Sequence, residues 1–186
     1  MPQTCTAFAG PRRIAHGSLI EVALAVKACA EPILVFDDAT GRVVDLDLRG
    51  SDAEIADRLA DRSEPPRGRG RPKLGVVARE VTLLPRQWDW LAAQPGGASQ
   101  ALRRLVDQAR KADGGQTEAK AARERTYRVI AALAGDLPDF EEAARALFAG
   151  DLASFAERMA SWPADVSAYA LGLADISRQL DGEIHL

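Results

Sequence analysis

The residues with the clearest chemistry are Arg67-Gly68-Arg69-Gly70-Arg71-Pro72-Lys73. Guanidinium groups alternate with glycine, and the proline keeps the run extended. A run of this kind suits a narrow, strongly negative groove. The A·T-rich minor groove of DNA attracts inserted arginines. Glycine has no Cβ and lets the backbone approach the groove floor. Arg67 and Lys73 at the ends would meet phosphates and make the affinity salt-dependent. The plainer reading is a solvated linker, because residues 63–75 show no apolar period and cannot bury a core.

Other candidate groups are weaker. His16 and His185 lie at opposite ends of the chain and form no local pair. The phosphate loop G-x-x-x-x-G-K-[ST], the nucleophile elbow G-x-S-x-G and the zinc motif H-E-x-x-H are all missing from the sequence. Cys5 and Cys29 lack the spacing of a zinc site and read as reduced, packed thiols. Asp45 and Asp47 would share one face of a strand, with Asp37 and Asp38 nearby. Together they could hold a divalent cation, but acidic residues normally sit in water, and a solvated face is the expected reading. The sequence therefore predicts no enzyme, no cofactor and no metal.

Charge is distributed unevenly along the chain. The 186 residues carry a net −3, yet residues 64–112 hold ten Lys/Arg against four Asp/Glu. A basic middle between acidic flanks points to a segment that binds a polyanion. No stretch is long enough to span a membrane, and the N-terminus lacks the layout of a signal peptide. The expected location is cytoplasmic and nucleoid-associated.

The elements that must position these groups read as an α+β chain. Residues 1–62 suggest a small β-α-β-β-α unit: a strand over 4–10, a helix capped by Ser18, strands over 33–36 and 43–48 joined as a hairpin, and a helix behind the Ser51–Glu54 capping box. Residues 63–75 are the basic linker. Residues 76–112 read as a strand over 76–84, a short helix with Trp88 and Leu91 inward, a Pro95-Gly96-Gly97 break, and a helix capped by Ser99. The apolar stripe of that last helix is Leu102, Leu105, Val106 and Ala109. Residues 113–186 form a helical C-terminal bundle.

Two resemblances sharpen this reading. Arg69-Gly70-Arg71-Pro72 resembles the core of an AT-hook. The run V-x-L-L-P-R-x-W-x-x-L, a glycine turn and A-S-x-A-L-R-R-L-V resemble the ribbon-helix-helix family of dimeric DNA-binding domains. That resemblance implies a strand shared between two protomers as a ribbon in the major groove. A lone strand of this size is not stable. With Val81 and Leu83 inward, Ala78, Glu80 and Thr82 would face the bases. Thr82 would bond a base edge and Glu80 would accept from cytosine N4. A register shifted by one turns Arg79 outward instead. The start of the second helix near Ser99 would offer N–H groups to a phosphate, reinforced by Arg103 and Arg104. Over most of its length the chain also resembles an uncharacterised bacterial family, DUF2239, which brings no activity with it.

The expected function is A·T-preferring or sequence-selective binding of double-stranded DNA by a homodimer, as a transcriptional regulator or nucleoid-associated protein. A protein–protein adaptor, or an antitoxin-like repressor whose C-terminal helices bind a protein partner, is the alternative.

Overall fold

The computed structural model describes residues 4–63 and 79–175. The chain divides into two compact units. Met1–Glu64 with Glu118–Leu186 makes the first, and Pro65–Thr117, inserted between them, makes the second.

The first unit is built on a three-stranded antiparallel sheet. Strands β1 (Thr4–Ala9), β2 (Arg12–Ser18) and β3 (Ile33–Asp37) run in the order β2-β1-β3. The central strand is buried on both faces, as its small and apolar side chains allow. Its side chains alternate, so Cys5 and Ala7 point to one side, Thr6 and Phe8 to the other. On the first side they meet helix α1 (Leu19–Val26) through Val22 and Val26, with Val35 of β3. Helix α2 (Asp52–Ser63) extends this layer by packing Ile55 and Leu59 against Ala23. On the second side Phe8 and Phe36 join a larger core with the C-terminal helices.

Local chemistry sets the helix starts. Ser18 caps α1 in a reciprocal pair with Glu21, and Ser51 and Glu54 repeat the arrangement before α2. Each pair satisfies two otherwise unbonded N–H groups. The C-terminal helices are α5 (Gln116–Ala134), α6 (Phe140–Ala149), α7 (Leu152–Arg158) and α8 (Ala164–Ala174). Val129, Ile130, Leu147, Phe155, Val166 and Ala170 interdigitate beneath the sheet, and Trp162 Nε1 donates to the Pro138 carbonyl at 2.8 Å. The expected C-terminal bundle is therefore not a separate body. Its helices form the second cover of the N-terminal sheet.

The α+β class stands, with a small sheet and a mostly helical chain, but the N-terminal order is corrected. It is β-β-α-β-α, not β-α-β-β-α. Strand β2 was missed because its sequence, RRIAHGS, is polar and lies at the sheet edge. The expected strand over 43–48 reduces to one bridge, Phe36 with Val43. After Val44 donates to the Val35 carbonyl at 2.7 Å, the chain leaves the sheet, and Val44, Leu46 and Leu48 pack onto the α1 side instead.

The two thiols differ sharply. Cys5 is fully buried, and burial with the nearby charges of Asp37 and Asp38 pushes its pKa up to about 11. Cys29 is only partly covered. Because the thiolate is the reactive form, maleimide at pH 7.5 is expected to label Cys29 within minutes. Cys5 should react only after unfolding. Mass spectrometry of the labelled peptides checks this; equal rates at both sites would contradict the burial.

The second unit contains helices α3 (Pro85–Ala92) and α4 (Gly97–Asp113). Residues 79–84 precede α3 as irregular backbone, without strand structure. Ser99 does not cap α4. Gly96, in the left-handed region at φ 79°, holds the cap position, and Ser99 lies inside the first turn. A glycine is needed there because residues with a Cβ rarely adopt that conformation.

Candidate functional site

Two places gather polar or charged side chains. The first is in the sheet unit. Asp38, just beyond β3, accepts hydrogen bonds at Oδ1 from Thr6 Oγ1 at 2.8 Å and from the Tyr169 hydroxyl at 2.7 Å. The Thr6 hydroxyl lies 3.0 Å from His16 Nδ1. Since Thr6 donates to Asp38, the imidazole must donate to Thr6, which places a proton on Nδ1. Asp38 Oδ2 is buried and accepts no hydrogen bond; its nearest partner is His16 Nδ1 at 3.4 Å. Burial, and then the charge of Asp38, push the Tyr169 phenol far above its usual range, so it remains a neutral donor.

These four residues come from β1, β2, the turn after β3, and α8. They meet because Thr6 and His16 are paired across β1 and β2 and therefore share a face, the one α8 covers. An imidazole oriented by a carboxylate can act as a general acid or base. The hydroxyl beside it, Thr6 Oγ1, is buried and already donates to Asp38, so it is not open to a substrate. The apolar groove lined by Gly10, Pro11, Ile33, Leu34, Leu137 and Pro163 does not include it. The arrangement fastens α8 to the sheet.

The adjoining turn makes two more such fastenings. Asp37 Oδ1 accepts from the backbone of Ala39 and Thr40, closing the turn. The Thr40 carbonyl accepts from Arg128 Nη1 at 2.8 Å. Gly41, at φ 65°, lies directly against the backbone of Arg125 on α5. Buried Arg125 in turn donates to the Leu173 carbonyl at 3.1 Å and pairs with Glu118 at 3.0 Å. The acidic residues of this region are engaged separately, in keeping with a solvated face rather than a cation site. Asp47 pairs with Arg49 and Arg58, and hydrogen bonding from Arg49 holds its carboxyl well below the usual range. Among the described residues no three His, Cys, Asp or Glu side chains are grouped to hold a metal.

The second place is the inserted unit. Arg67, Arg69, Gly70, Arg71, Pro72 and Lys73 lie outside the described residues. Arg79, Glu80 and Thr82 are exposed on irregular backbone. Arg103 and Arg104 are exposed on α4, as are Arg110 and Lys111 near its end. Ser99 sits in the first turn of α4 with Gln100, whose side chain folds back over Gly96. None of Arg79, Arg86, Arg103, Arg104, Arg110 and Lys111 forms an ion pair among the described residues; Arg104 reaches only Gln94, at 3.4 Å. The sheet unit behaves differently. There Arg12, Lys27, Arg49, Arg58, Arg125, Arg128 and Arg145 are each paired with a carboxylate, while Arg13, Arg42, Lys120, Arg123 and Arg158 form no ion pair among the described residues.

The apolar residues of the insert also differ from expectation. Leu91 and Ala101 are buried where α3 meets α4. Trp88 and Val81, expected inward, are 40% and 52% exposed, and Trp90, Leu105 and Val106 are 50%, 39% and 55% exposed. Two short helices cannot enclose side chains of this size by themselves.

A family model described as "Uncharacterized protein conserved in bacteria (DUF2239)" matches residues 4–174. The chain belongs to this DUF2239 family. The match runs through both units, so sheet unit and insert are parts of one family pattern. No curated protein matches the chain, and no solved structure does. No helix among the described residues is long and apolar enough to cross a membrane.

Proposed function

We propose that this DUF2239 protein binds double-stranded DNA through residues 67–111 and does so as a homodimer, acting as a transcriptional regulator or nucleoid-associated protein. The observation that supports this best is the contrast in charge pairing. Seven of the twelve sheet-unit cations with described side chains pair with a carboxylate, whereas none of the six described cations of the insert does. Unpaired, exposed cations can replace the counterions condensed on phosphates. The arginine arm would enter an A·T-rich minor groove. Residues 79–84 with α3 and α4 would face the adjacent major groove through Arg79, Glu80 and Thr82, with the first turn of α4 and Arg103 and Arg104 on the backbone.

A gel shift with A·T-rich duplex across a salt series tests the reading. Binding should fall steeply, with a log–log slope of about −0.9 per phosphate contacted. Arg69→Ala combined with Arg71→Ala should weaken binding at least about tenfold and flatten that slope. Thr82→Ala should change sequence preference more than affinity. Wild-type binding by the double arginine variant would remove the hook from the proposal. Absence of binding at low salt would remove DNA altogether.

A second reading has its own support. Tyr127 and Phe148, with ring centroids 5.4 Å apart, stand partly exposed on the C-terminal helices. Apolar patches of this kind mark protein contacts, which favours an adaptor or antitoxin-like role should DNA binding fail.

A further inference from the structure

We infer that Trp90 is a stacking platform for an unpaired base of single-stranded DNA, with Arg86 and Arg104 placed to hold the phosphates on either side. That the strand is DNA rests on the function proposed above; the platform itself is carried by Trp90, which the duplex reading leaves idle.

Arg86 and Trp90 are four residues apart on α3 and therefore stand one above the other, about 40° apart around the axis. Buried Leu91, which faces α4, lies about 100° from Trp90. Trp88 lies about 160° from Trp90, on the opposite flank of that seam. The Trp90 indole is 50% exposed and makes no ring contact among the described residues. Past the end of the helix, Gln94 Nε2 donates to the Trp90 carbonyl at 3.3 Å. Arg104 Nη2 of α4 donates in turn to Gln94 Oε1 at 3.4 Å. A guanidinium from each helix thus brackets one open indole. Neither Arg86 nor Arg104 pairs with a carboxylate among the described residues.

Charge and shape select the occupant. An open aromatic face beside two unpaired guanidinium groups matches a polyanion that presents flat π faces, which is a polynucleotide. In a duplex both faces of each base are stacked on neighbours, so a surface indole reaches one only after the base has been extruded. An unpaired strand offers its bases directly. An apolar protein surface would instead bury both guanidinium groups without a counter-charge, which is costly. A single strand supplies that charge with every nucleotide. Lys111 lies on the same face of α4 as Arg104, about 20° away and about 10 Å further along, and continues the positive track. Helices α3 and α4 carry five cations against Asp89, Asp107 and Asp113, and Asp113 is engaged by Thr117 at 2.8 Å. Asp89 stands about 100° from Trp90, and Asp107 about 60° from Arg104, so these carboxylates flank the platform without closing it.

Titration of the full chain with a fluorescein-labelled oligothymidylate of about 15 nucleotides at low salt tests this. Binding should weaken with salt and quench the tryptophan fluorescence. Trp90→Leu keeps apolar bulk but loses the indole, and should weaken binding roughly 5- to 150-fold, the range for one base stacked on an aromatic side chain. Trp90→Phe should retain most of the affinity while removing the quench. Arg86→Gln and Arg104→Gln should each reduce the salt slope by about 0.7. Trp88→Leu, on the other flank, should bind as wild type does. Far-ultraviolet circular dichroism verifies that each variant keeps its helices. No binding of the oligomer at low salt, equal losses in Trp90→Phe and Trp90→Leu, or an equal loss in Trp88→Leu would overturn the inference. Tighter binding of the matching oligouridylate would overturn the assignment to DNA. A protein that binds A·T-rich duplex but not the oligomer overturns this site alone, and one that binds the oligomer but not the duplex overturns only the duplex reading.

Discussion

Gly41→Ala is expected to lower the free energy of unfolding by about 2–5 kcal/mol, a large part of the total for a chain of this size. Two costs combine. A residue with a Cβ held at φ 65° loses about 1–2 kcal/mol. The new methyl would also lie 2.8 Å from the Arg125 Cα and closer still to its carbonyl oxygen. Backbone cannot swing aside as a side-chain tip can, so crowding adds about 1–3 kcal/mol. Gly10→Ala is the control. Its φ is 54°, but no atom lies within 4 Å of the new Cβ, so only the conformational cost of about 1–2 kcal/mol applies. Urea unfolding followed by far-ultraviolet circular dichroism measures both. Equal losses at the two glycines would show that the turn does not press on α5.

Asp38→Ala is the second large expected effect, about 2–4 kcal/mol. It leaves the hydroxyls of Thr6 and Tyr169 buried without their acceptor, and an orphaned buried donor costs about 1–3 kcal/mol. Tyr169→Phe removes one donor cleanly and should cost about 1–2 kcal/mol. The double variant should lose less than the sum, because both singles break the same bond. The pH dependence has a definite sign. The Tyr169 pKa is raised above its ordinary value of 10.0. Its contribution is therefore complete below pH 10 and is lost as pH rises beyond it, since the unfolded phenol ionises first. Tyr169→Phe should flatten the alkaline limb of a stability–pH curve. An unchanged limb would place the alkaline loss at other groups.

Local signals were legible in the sequence, and distant ones were not. The caps at Ser18 and Ser51 could be read because each partner lies three residues away. The glycine break before α4 was visible, though the cap fell on Gly96 rather than Ser99, since the left-handed geometry there needs no side chain. Strand β2 was hidden because an exposed edge can carry arginine and histidine, which erases the apolar alternation. The Thr6–His16–Asp38–Tyr169 network left no trace. Its members are scattered from position 6 to position 169, and His16 lay in the unassigned strand. The apolar stripe of α4 was read correctly as a stripe, but a period cannot say whether the chain itself supplies the cover. The arginine run remains a matter of sequence and solution experiment.

The bond between Asp38 and Tyr169 joins residues 131 positions apart. A ribosome adding about 5–20 residues per second takes roughly 7–26 s to travel that distance. Throughout that interval the face of the sheet bearing Thr6, Phe8 and Phe36 has been made, while the helix that covers it has not. The nascent chain thus emerges with an open oily surface, followed by the arginine-rich insert, before the lid is synthesised. Any factor that shelters growing chains would meet this protein at that moment, and clusters of slow codons between residues 118 and 174 would lengthen the exposure.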